Sequence, residues 1–178
     1  EAYSEDWCER AAQFIYLNKT GFNGLFRVNQ KGGFNVPPSN MGNKDFLNAE
    51  NLRKVSEILQ NVTIECGDFS ASKEWVDENT FVYFDPPYRP LTETSFTTYS
   101  SHNWNDDSEQ TRLANLAQEL SERGVKVMLS NSDPKSINPK DEFFETNYPN
   151  EKGFNIHRVK AIRAINSQGS GRGEISEL

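Results

Sequence analysis

The sequence predicts an α/β fold in which short buried strands alternate with amphipathic helices. Residues 81–84 are aromatic and β-branched, and they span the length of a buried strand. Residues 108–123 place leucine and alanine at helical spacing before Gly124, a typical helix end. Residues 125–129 repeat the strand pattern. A strand, a helix and a second strand at this spacing favour a right-handed crossover between parallel neighbours.

The N-terminal third of the chain predicts two helices and a hairpin. Apolar residues recur at helical spacing over 7–18, and we expect this helix to pack on the core. Two short β-prone arms flank a Gly-Gly turn, which predicts a β-hairpin over 21–37. A second helix is expected over 45–61, with its N-cap near Asn48 or Asn51.

The remaining segments predict further strands and two loops. Strands are expected at 62–66, 143–148 and 155–165, with a helical turn within 70–79. Asp68 follows the first of these strands, at the carboxyl end where open α/β sheets bind ligands. The polar segment 89–104 predicts a mobile loop that faces the substrate. Residues 166–173 predict a flexible basic loop.

Length and composition fit a cytoplasmic α/β protein. The 178 residues are enough for one domain with a sizeable core, and we expect that both ends are truncated. The two cysteines lack metal-type spacing, and neither a signal peptide nor a long apolar segment is evident. His102 and His157 lack cysteine or carboxylate partners at ligand spacing, so no metal site is predicted.

Charge is distributed unevenly along the chain. The formal net charge is −7, yet residues 11–44 contain no acidic residue and carry four basic ones. Residues 152–173 also contain no acidic residue and carry five basic ones. Two basic stretches in an acidic chain are typical of a protein that contacts phosphate on one face. The alternative is chance clustering on solvated surfaces.

The stretch Asp85-Pro86-Pro87-Tyr88 follows the strand predicted at 81–84. Prolines cannot continue a central strand, so it should stop at Asp85. An exocyclic amine on a nucleobase is a poor nucleophile because its lone pair is delocalised into the ring. The Asp85 carboxylate and the Pro86 carbonyl can accept both N–H bonds of such an amine, and Tyr88 can stack on a flipped base. This chemistry indicates amino-group methylation; the alternative is a strand-ending turn.

The predicted hairpin suits entry into a nucleic-acid groove. It is polar and rich in small residues, and we expect Asn23, Arg27 and Asn35 to be exposed. Arginine reads guanine through two hydrogen bonds, with about 1–3 kcal/mol of discrimination for a good pair. The alternative is that any exposed hairpin can carry an arginine and two asparagines.

Three segments in a fixed order carry a family resemblance. They are Gly21-Phe22-Asn23-Gly24-Leu25-Phe26-Arg27 with Phe34-Asn35-Val36-Pro37, then Asp85-Pro86-Pro87-Tyr88, then Leu129-Ser130-Asn131-Ser132-Asp133. In this order they resemble the Dam-type DNA adenine-N6 methyltransferase family, of the alpha group of amino-methyltransferases. Several amino-methyltransferase groups share the tetrapeptide, whereas the long hairpin is specific to this family. The resemblance covers nearly the whole chain.

The resemblance implies a Rossmann-like S-adenosylmethionine methyltransferase sheet in residues 61–178. It implies a target-recognition region of helices and the hairpin in residues 1–60. S-adenosylmethionine is the implied methyl donor, and the implied target is an adenine flipped onto Tyr88 in a GATC-like site. The implied catalytic residues are Asp85, Pro86, Pro87 and Tyr88. The implied cofactor residues are Asp68, Phe69 and Asp85. The expected DNA contacts are Asn23, Leu25, Arg27, Pro37, Lys19 and Lys31.

The expected partner is double-stranded DNA, with or without a cognate restriction endonuclease, and the expected state is a monomer. The family also has an N-terminal strand and a glycine-rich turn that cradle the cofactor, and these residues do not include them. We therefore expect an incomplete sheet, no detectable cofactor affinity and only weak, salt-dependent DNA binding for this piece. The alternatives are a catalytically inactive DNA-binding remnant and an amino-methyltransferase that acts on RNA, cytosine or a protein glutamine.

Overall fold

The computed structural model describes residues 5–29, 31–40, 47–92, 104, 107–163 and 173–178. Its helices are α1 (Glu5–Thr20), α2 (Ala49–Leu59), α3 (Asp107–Glu122) and α4 (Phe143–Asn147). Its strands are β1 (Phe81–Phe84), β2 (Lys126–Leu129), β3 (Val159–Arg163) and β4 (Gly173–Glu177). The predicted mixture of helices and strands is confirmed. These elements divide into two compact units, Glu1–Glu65 and Cys66–Leu178.

In the first unit, α1 ends where a close backbone approach requires glycine. The N–H of Gly21 donates to the carbonyl of Leu17 at 2.8 Å. A Cβ atom on Gly21 would lie 2.7 Å from that carbonyl oxygen, closer than real Cβ contacts allow. The Thr20 hydroxyl also donates to the carbonyl of Tyr16, which completes the last turn. The helix predicted over 7–18 is thus present and slightly longer.

The predicted hairpin forms, but without continuous strands. Its arms meet in isolated antiparallel bridges, Gly21 with Pro38 and Val28 with Phe34. A short 3₁₀ turn, Phe22–Gly24, interrupts the first arm because Asn23 has a left-handed φ of 56°. A residue in that conformation cannot continue a β ladder. Regular pairing is therefore replaced by an irregular antiparallel loop.

Within its own unit, α1 packs against the hairpin and not against a buried core. Phe14 is 52% exposed, and its ring contacts Phe26, with 5.3 Å between the ring centroids. Phe26 in turn contacts Phe34 at 5.8 Å, so the helix and the hairpin share a small aromatic cluster. No hydrophobic residue in the described part of this unit is buried. Two helices and an irregular hairpin offer too little apolar surface to enclose a core.

Helix α2 begins at its predicted cap. The Asn48 side chain accepts the N–H of Asn51 at 3.3 Å, which satisfies one of the unpaired donors at the helix start. The apolar residues of α2 are exposed, with Ile58 at 66%. None of the described helices is both long and apolar enough to cross a membrane.

The second unit contains the predicted parallel pair of strands. β1 and β2 pair in parallel, with Phe81 opposite Lys126 and Phe84 opposite Leu129. α3 connects them and buries one apolar stripe at helical spacing. The core of buried hydrophobic residues consists of Phe84, Leu113, Ala114, Leu116, Ala117, Leu120, Val125, Phe144 and Tyr148. The sequence placed these strands and this helix correctly, because their apolar periodicity is strong.

Two predicted strands in the described residues are wrong. Residues 62–66 form no strand, and Ile64 is 71% exposed. A strand needs a partner for its backbone, and no described strand pairs with this segment. Residues 143–148 contain the helix α4 instead of a strand. Phe144 and Tyr148, four residues apart, are both buried, so the aromatic pattern has helical spacing.

The C-terminal strands form a separate antiparallel pair. β3 and β4 run from Val159 opposite Glu177 to Arg163 opposite Gly173. β3 begins four residues after the start of the strand predicted over 155–165, and residues 164–165 lie outside the described residues. The chain after β4 bonds to the chain after β2, because the Leu178 N–H donates to the Asn131 carbonyl at 2.9 Å. The loops predicted at 89–104 and 166–173, and His102, lie largely outside the described residues.

Candidate active site

Parallel pairing places the end of β1 beside the end of β2. The Ser130 N–H donates to the carbonyl of Phe84 at 3.0 Å, which continues the strand pairing by one residue. The Ser130 hydroxyl then donates to Asp85 Oδ1 at 2.9 Å. The residues that follow β2 therefore lie beside Asp85.

A second hydroxyl fixes the direction of this hydrogen bond. Tyr83 Oη donates to Ser130 Oγ at 2.9 Å, so the Ser130 proton is free to point at Asp85. Asp85 is exposed, and within the described residues its Oδ2 makes no hydrogen bond. One carboxylate oxygen is held in place while the other remains available as an acceptor. Sequence reasoning did not identify Tyr83 in this role, because it was assigned only to the strand.

The residues after Asp85 present an acceptor and an aromatic ring. Within the described part of the chain, the carbonyl oxygen of Pro86 accepts no hydrogen bond. Tyr88 is 36% exposed, and burial of its hydroxyl raises the pKa of the phenol, so the ring is neutral at physiological pH. The segment therefore offers a carboxylate oxygen, a carbonyl oxygen and a partly open aromatic ring.

Asp68 is present as a turn cap and an ion-pair partner. Its carboxylate accepts the Ser70 N–H at 2.9 Å at the start of the 3₁₀ turn Phe69–Glu74. Arg112 of α3 donates to both carboxylate oxygens, at 2.9 and 2.6 Å. The hydrogen bond from Arg112 holds the pKa of the Asp68 carboxyl well below its usual range. Asp68 is thus ionised throughout the neutral range.

Phe69 lies under the same guanidinium. The Arg112 carbon Cζ is 4.0 Å from the centre of the Phe69 ring. The centroids of the Phe69 and Trp104 rings are 5.8 Å apart. A carboxylate beside an aromatic ring fits the amine and the flat ring of an adenine group. Sequence reasoning missed Arg112, which sits on a helix 44 positions from Asp68 with no motif to link them.

Asp68 and Asp85 are held by different partners. Asp68 is fixed by Arg112 and Ser70, whereas Asp85 is fixed by Ser130. Both lie in the second unit.

The candidate DNA-reading residues lie on the irregular hairpin of the first unit. Arg27 is exposed, and its Nε and Nη2 donate to the side-chain and main-chain oxygens of Asn35, each at 2.9 Å. Asn23 is exposed, Leu25 is half-buried, and the carbonyl of Pro37 accepts a backbone N–H. Asn35 thus orients the Arg27 guanidinium, a contact that sequence reasoning did not foresee.

The candidate phosphate contacts are exposed lysines. Lys19 lies in the last turn of α1, and Lys31 lies at the turn of the hairpin. Neither forms an ion pair with any carboxylate that the structure describes. Their charges are therefore available to an anionic partner.

Comparison with known proteins defines the class. Residues 3–165 match the model of the D12 class N6 adenine-specific DNA methyltransferase family. The chain belongs to this family, and the resemblance drawn from its sequence segments is confirmed.

Several curated relatives are similar over nearly all of this chain. The Type II methyltransferase M.MjaIII of Methanocaldococcus jannaschii is 49% identical over 94% of the chain and 55% of its own length. The Type II methyltransferase M1.LlaDCHI of Lactococcus lactis subsp. cremoris is 40% identical over 96% of the chain and 57% of its own length. The DNA adenine methylase of Escherichia coli strain K12 is 36% identical over 98% of the chain and 59% of its own length. The chain therefore spans less than two thirds of each.

Proposed function

We propose that the protein transfers a methyl group from S-adenosylmethionine to the N6 amine of adenine in a specific double-stranded DNA site. The family supports adenine-specific DNA methylation as the reaction class. The observation that carries the site assignment is Asp85, held on one oxygen by Ser130 and open on the other, beside the unbonded carbonyl of Pro86.

The two acceptors act on the amine before it is methylated. The free oxygen of Asp85 accepts one N–H bond, and the carbonyl of Pro86 accepts the other. Both hydrogen bonds draw the nitrogen away from planarity and localise its lone pair. The hydrogen bonds of Tyr83 and Ser130 already exist in the free protein. No free energy is therefore needed to reorganise these two side chains during the reaction.

Tyr88 receives the flipped base. A base in a duplex cannot reach Asp85 without leaving the stack, and unstacking costs a few kcal/mol. Stacking on an aromatic side chain returns about 1–3 kcal/mol per base. The Tyr88 ring is 36% exposed, so part of its surface can be covered by a base.

The methyl donor meets the protein at Asp68 and Phe69. When bound, S-adenosylmethionine supplies an electrophilic methyl group. Oδ1 of Asp68 accepts from Arg112 and from the Ser70 N–H, whereas Oδ2 accepts only from Arg112 among the described residues, so Oδ2 can also accept the adenine amine. The ring of Phe69 lies against the adenine plane, and Asp85 forms part of the wall of the same site. We assign residues 61–178 to the catalytic part, with a Rossmann-like sheet.

The hairpin selects the DNA sequence. Arg27 is the candidate for guanine in a GATC-like site, with Asn23, Leu25 and Pro37 beside it on the hairpin. Lys19 and Lys31 supply the sequence-independent attraction to phosphate. Residues 1–60 thus form the proposed target-recognition region. Action as a monomer in the cytoplasm, with or without a cognate restriction endonuclease, completes the proposal.

The proposal is tested by removing the carboxylate acceptor. In the full-length protein, Asp85→Ala should lose at least nine tenths of the turnover, because the amine loses the acceptor that orients it. The assay measures transfer of labelled methyl groups to duplex DNA and identifies N6-methyladenine by mass spectrometry. Glu78→Ala, which removes an exposed carboxylate just before β1, is the matched control and should keep full turnover. Retention of more than a tenth of the turnover by Asp85→Ala, with unchanged circular dichroism, contradicts the assignment.

A further inference from the structure

Two buried amide side chains, Gln110 of α3 and Asn131 after β2, hold the backbone that follows β1. Gln110 is 1% exposed and Asn131 is 0% exposed. Gln110 Nε2 donates to the carbonyl of Pro87 at 2.8 Å, and Asn131 Oδ1 accepts the N–H of Arg89 at 2.8 Å. Asn131 Nδ2 donates to Gln110 Oε1 at 3.0 Å. These two residues, called the amide clamp below, therefore form one connected network.

The hydrogen bonds of the amide clamp can run in only one direction. The N–H groups of Arg89 and Ser132 both donate to the same atom of Asn131, so that atom must be its oxygen. The Asn131 nitrogen must then donate to Gln110, which accepts with its oxygen. Only the nitrogen of Gln110 is left for the carbonyl of Pro87. Flipping either amide would place buried donors against donors, so the arrangement is unique.

The clamp controls which carbonyl remains free. The carbonyl of Pro87 is occupied by Gln110, whereas that of Pro86 accepts no hydrogen bond from the described residues. Each proline has its φ angle fixed by the ring, and the described residues contain no cis peptide bond. The Phe84 carbonyl accepts the Ser130 N–H and the Pro87 carbonyl accepts from Gln110, so the Pro86 carbonyl lies between two anchored carbonyls. The fixed proline φ angles leave the peptide groups between these anchors little rotation. The direction of the Pro86 carbonyl therefore depends on the clamp together with the hydrogen bond from Ser130 to Phe84.

Space filling alone does not explain a glutamine at this position. Gln110 lies in the buried stripe of α3 together with Leu113, Ala114 and Leu120. Leucine or methionine would fill the same space without burying polar atoms. Both polar atoms of the Gln110 side chain make hydrogen bonds. Nε2 donates to the Pro87 carbonyl in the candidate site, and Oε1 accepts from Asn131.

We propose that Gln110 and Asn131 are positioning residues for methyl transfer, which orient the Pro86 carbonyl toward the target amine through the backbone of Pro87 and Arg89. The inference rests on the proposed function, because the Pro86 carbonyl matters only if an amine is bound there. Neither side chain touches the substrate. Their effect is on the geometry of the acceptor.

The test compares two glutamines of α3. Gln110→Glu keeps the shape and the bond from Asn131 but loses the donor to Pro87. Gln118→Glu is the matched control, because Gln118 Nε2 also donates to a backbone carbonyl, that of Asn147 at 2.7 Å, away from the candidate site. Gln110→Glu should lower kcat by roughly ten- to a hundredfold, because small misplacement of a catalytic group has effects of this size. KM for DNA and for S-adenosylmethionine should change less than about threefold, and the control should keep its kcat.

The pH profile of Gln110→Glu separates positioning from simple destabilisation. A carboxylate that faces the Pro87 carbonyl repels it, but a protonated carboxyl group can donate to it again. Burial raises the pKa of the introduced carboxyl. The ratio of variant to parent kcat should therefore rise as the pH falls. Gln110→Met, which cannot donate at any pH, should show a constant low ratio; a constant ratio for both variants contradicts the inference.

Amide hydrogen exchange keeps the inference separate from the proposed function. The Arg89 N–H donates to Asn131 Oδ1, so its exchange should be slow in the parent protein and faster in Asn131→Leu and Gln110→Glu. Faster exchange with unchanged kcat overturns the positioning role and leaves the proposed function intact. Unchanged exchange overturns the clamp itself. A parent protein that methylates no DNA overturns the proposed function and, with it, the positioning role.

Discussion

Arg27 shows how one side chain can be oriented by its own hairpin. Asn35 accepts two hydrogen bonds from the guanidinium, and among the described residues Arg27 Nη1 makes none. A guanidinium held in this way loses less conformational entropy when it binds. The hairpin therefore presents a preorganised donor group, which favours the proposed contact with guanine.

Arg27→Ala should cost about 1–3 kcal/mol of binding free energy at one guanine and relax selection at that base pair. The measurement is binding to a panel of duplexes in which each base pair of the site is replaced in turn. Lys31→Ala, on the same hairpin, is the control and should weaken binding equally for every duplex. A uniform loss for Arg27→Ala would identify Arg27 as a phosphate contact instead.

Arg112 determines the ionisation of Asp68. The hydrogen bond from Arg112 is the largest cause of the lowered pKa of that carboxyl. A lowered carboxyl pKa stabilises the fold above the ordinary pKa, and this contribution disappears as the pH falls through the lowered value. The pair therefore stays intact at neutral and mildly acidic pH.

Arg112→Met should raise the pKa of Asp68 toward the ordinary value of an aspartate. Carbon NMR of the labelled Asp68 carboxyl, followed through an acid titration, measures the change. Arg123→Met is the control, because the Arg123 guanidinium donates to backbone carbonyls and to no described carboxylate. An unchanged Asp68 titration in Arg112→Met would show that the ion pair does not persist in solution.

At the scale of elements, α3 carries the core and α2 does not. Leu120 is 0% exposed, and its helix packs against β2 and α4. Ile58 of α2 is 66% exposed, although α2 has a clear apolar face. Amphipathic periodicity therefore identifies a helix but not the extent of its burial.

Leu120→Ala should lower the free energy of unfolding by about 2–5 kcal/mol, because it leaves a cavity in a packed core. Ile58→Ala makes the same kind of truncation on an exposed surface and should change stability by less than about 0.5 kcal/mol. Urea unfolding of both variants, followed by circular dichroism, gives the comparison. Equal losses for the two variants would contradict the burial seen in the structure.

At the scale of the whole molecule, charge separates the residues proposed to contact DNA from an acidic background. The net charge is −7, while residues 11–44 carry only basic charges. An acidic protein is repelled by DNA at long range, so attraction must come from local basic residues. Lys19, Arg27 and Lys31 lie in this stretch and belong to the first unit.

DNA affinity should therefore fall steeply with salt. The logarithm of the association constant should fall linearly with the logarithm of the salt concentration. Lys31→Ala should reduce the magnitude of the slope by about 1, because one phosphate contact is lost. Fluorescence anisotropy with a labelled duplex at several salt concentrations measures both slopes. An affinity independent of salt would exclude the phosphate contacts proposed for the hairpin.

The sequence by itself determined the parallel pair β1 and β2, the helix α3 between them, the cap of α2 and the family. These features depend on local chemistry, because apolar periodicity, prolines and capping side chains act within a few residues. The position of Asp85 beside Ser130 followed as well, since parallel strands end at the same edge of a sheet.

Only the tertiary structure decided which partners the polar groups take. It pairs Asp68 with Arg112 and the Pro87 carbonyl with Gln110, at sequence separations of 44 and 23 residues. It also placed the helix α4 (Phe143–Asn147) where a strand was predicted and, among the described residues, left 62–66 without a strand partner. The physical reason is that a strand or a buried hydrogen bond exists only when a distant segment supplies the other half, and no local pattern in the chain specifies that segment.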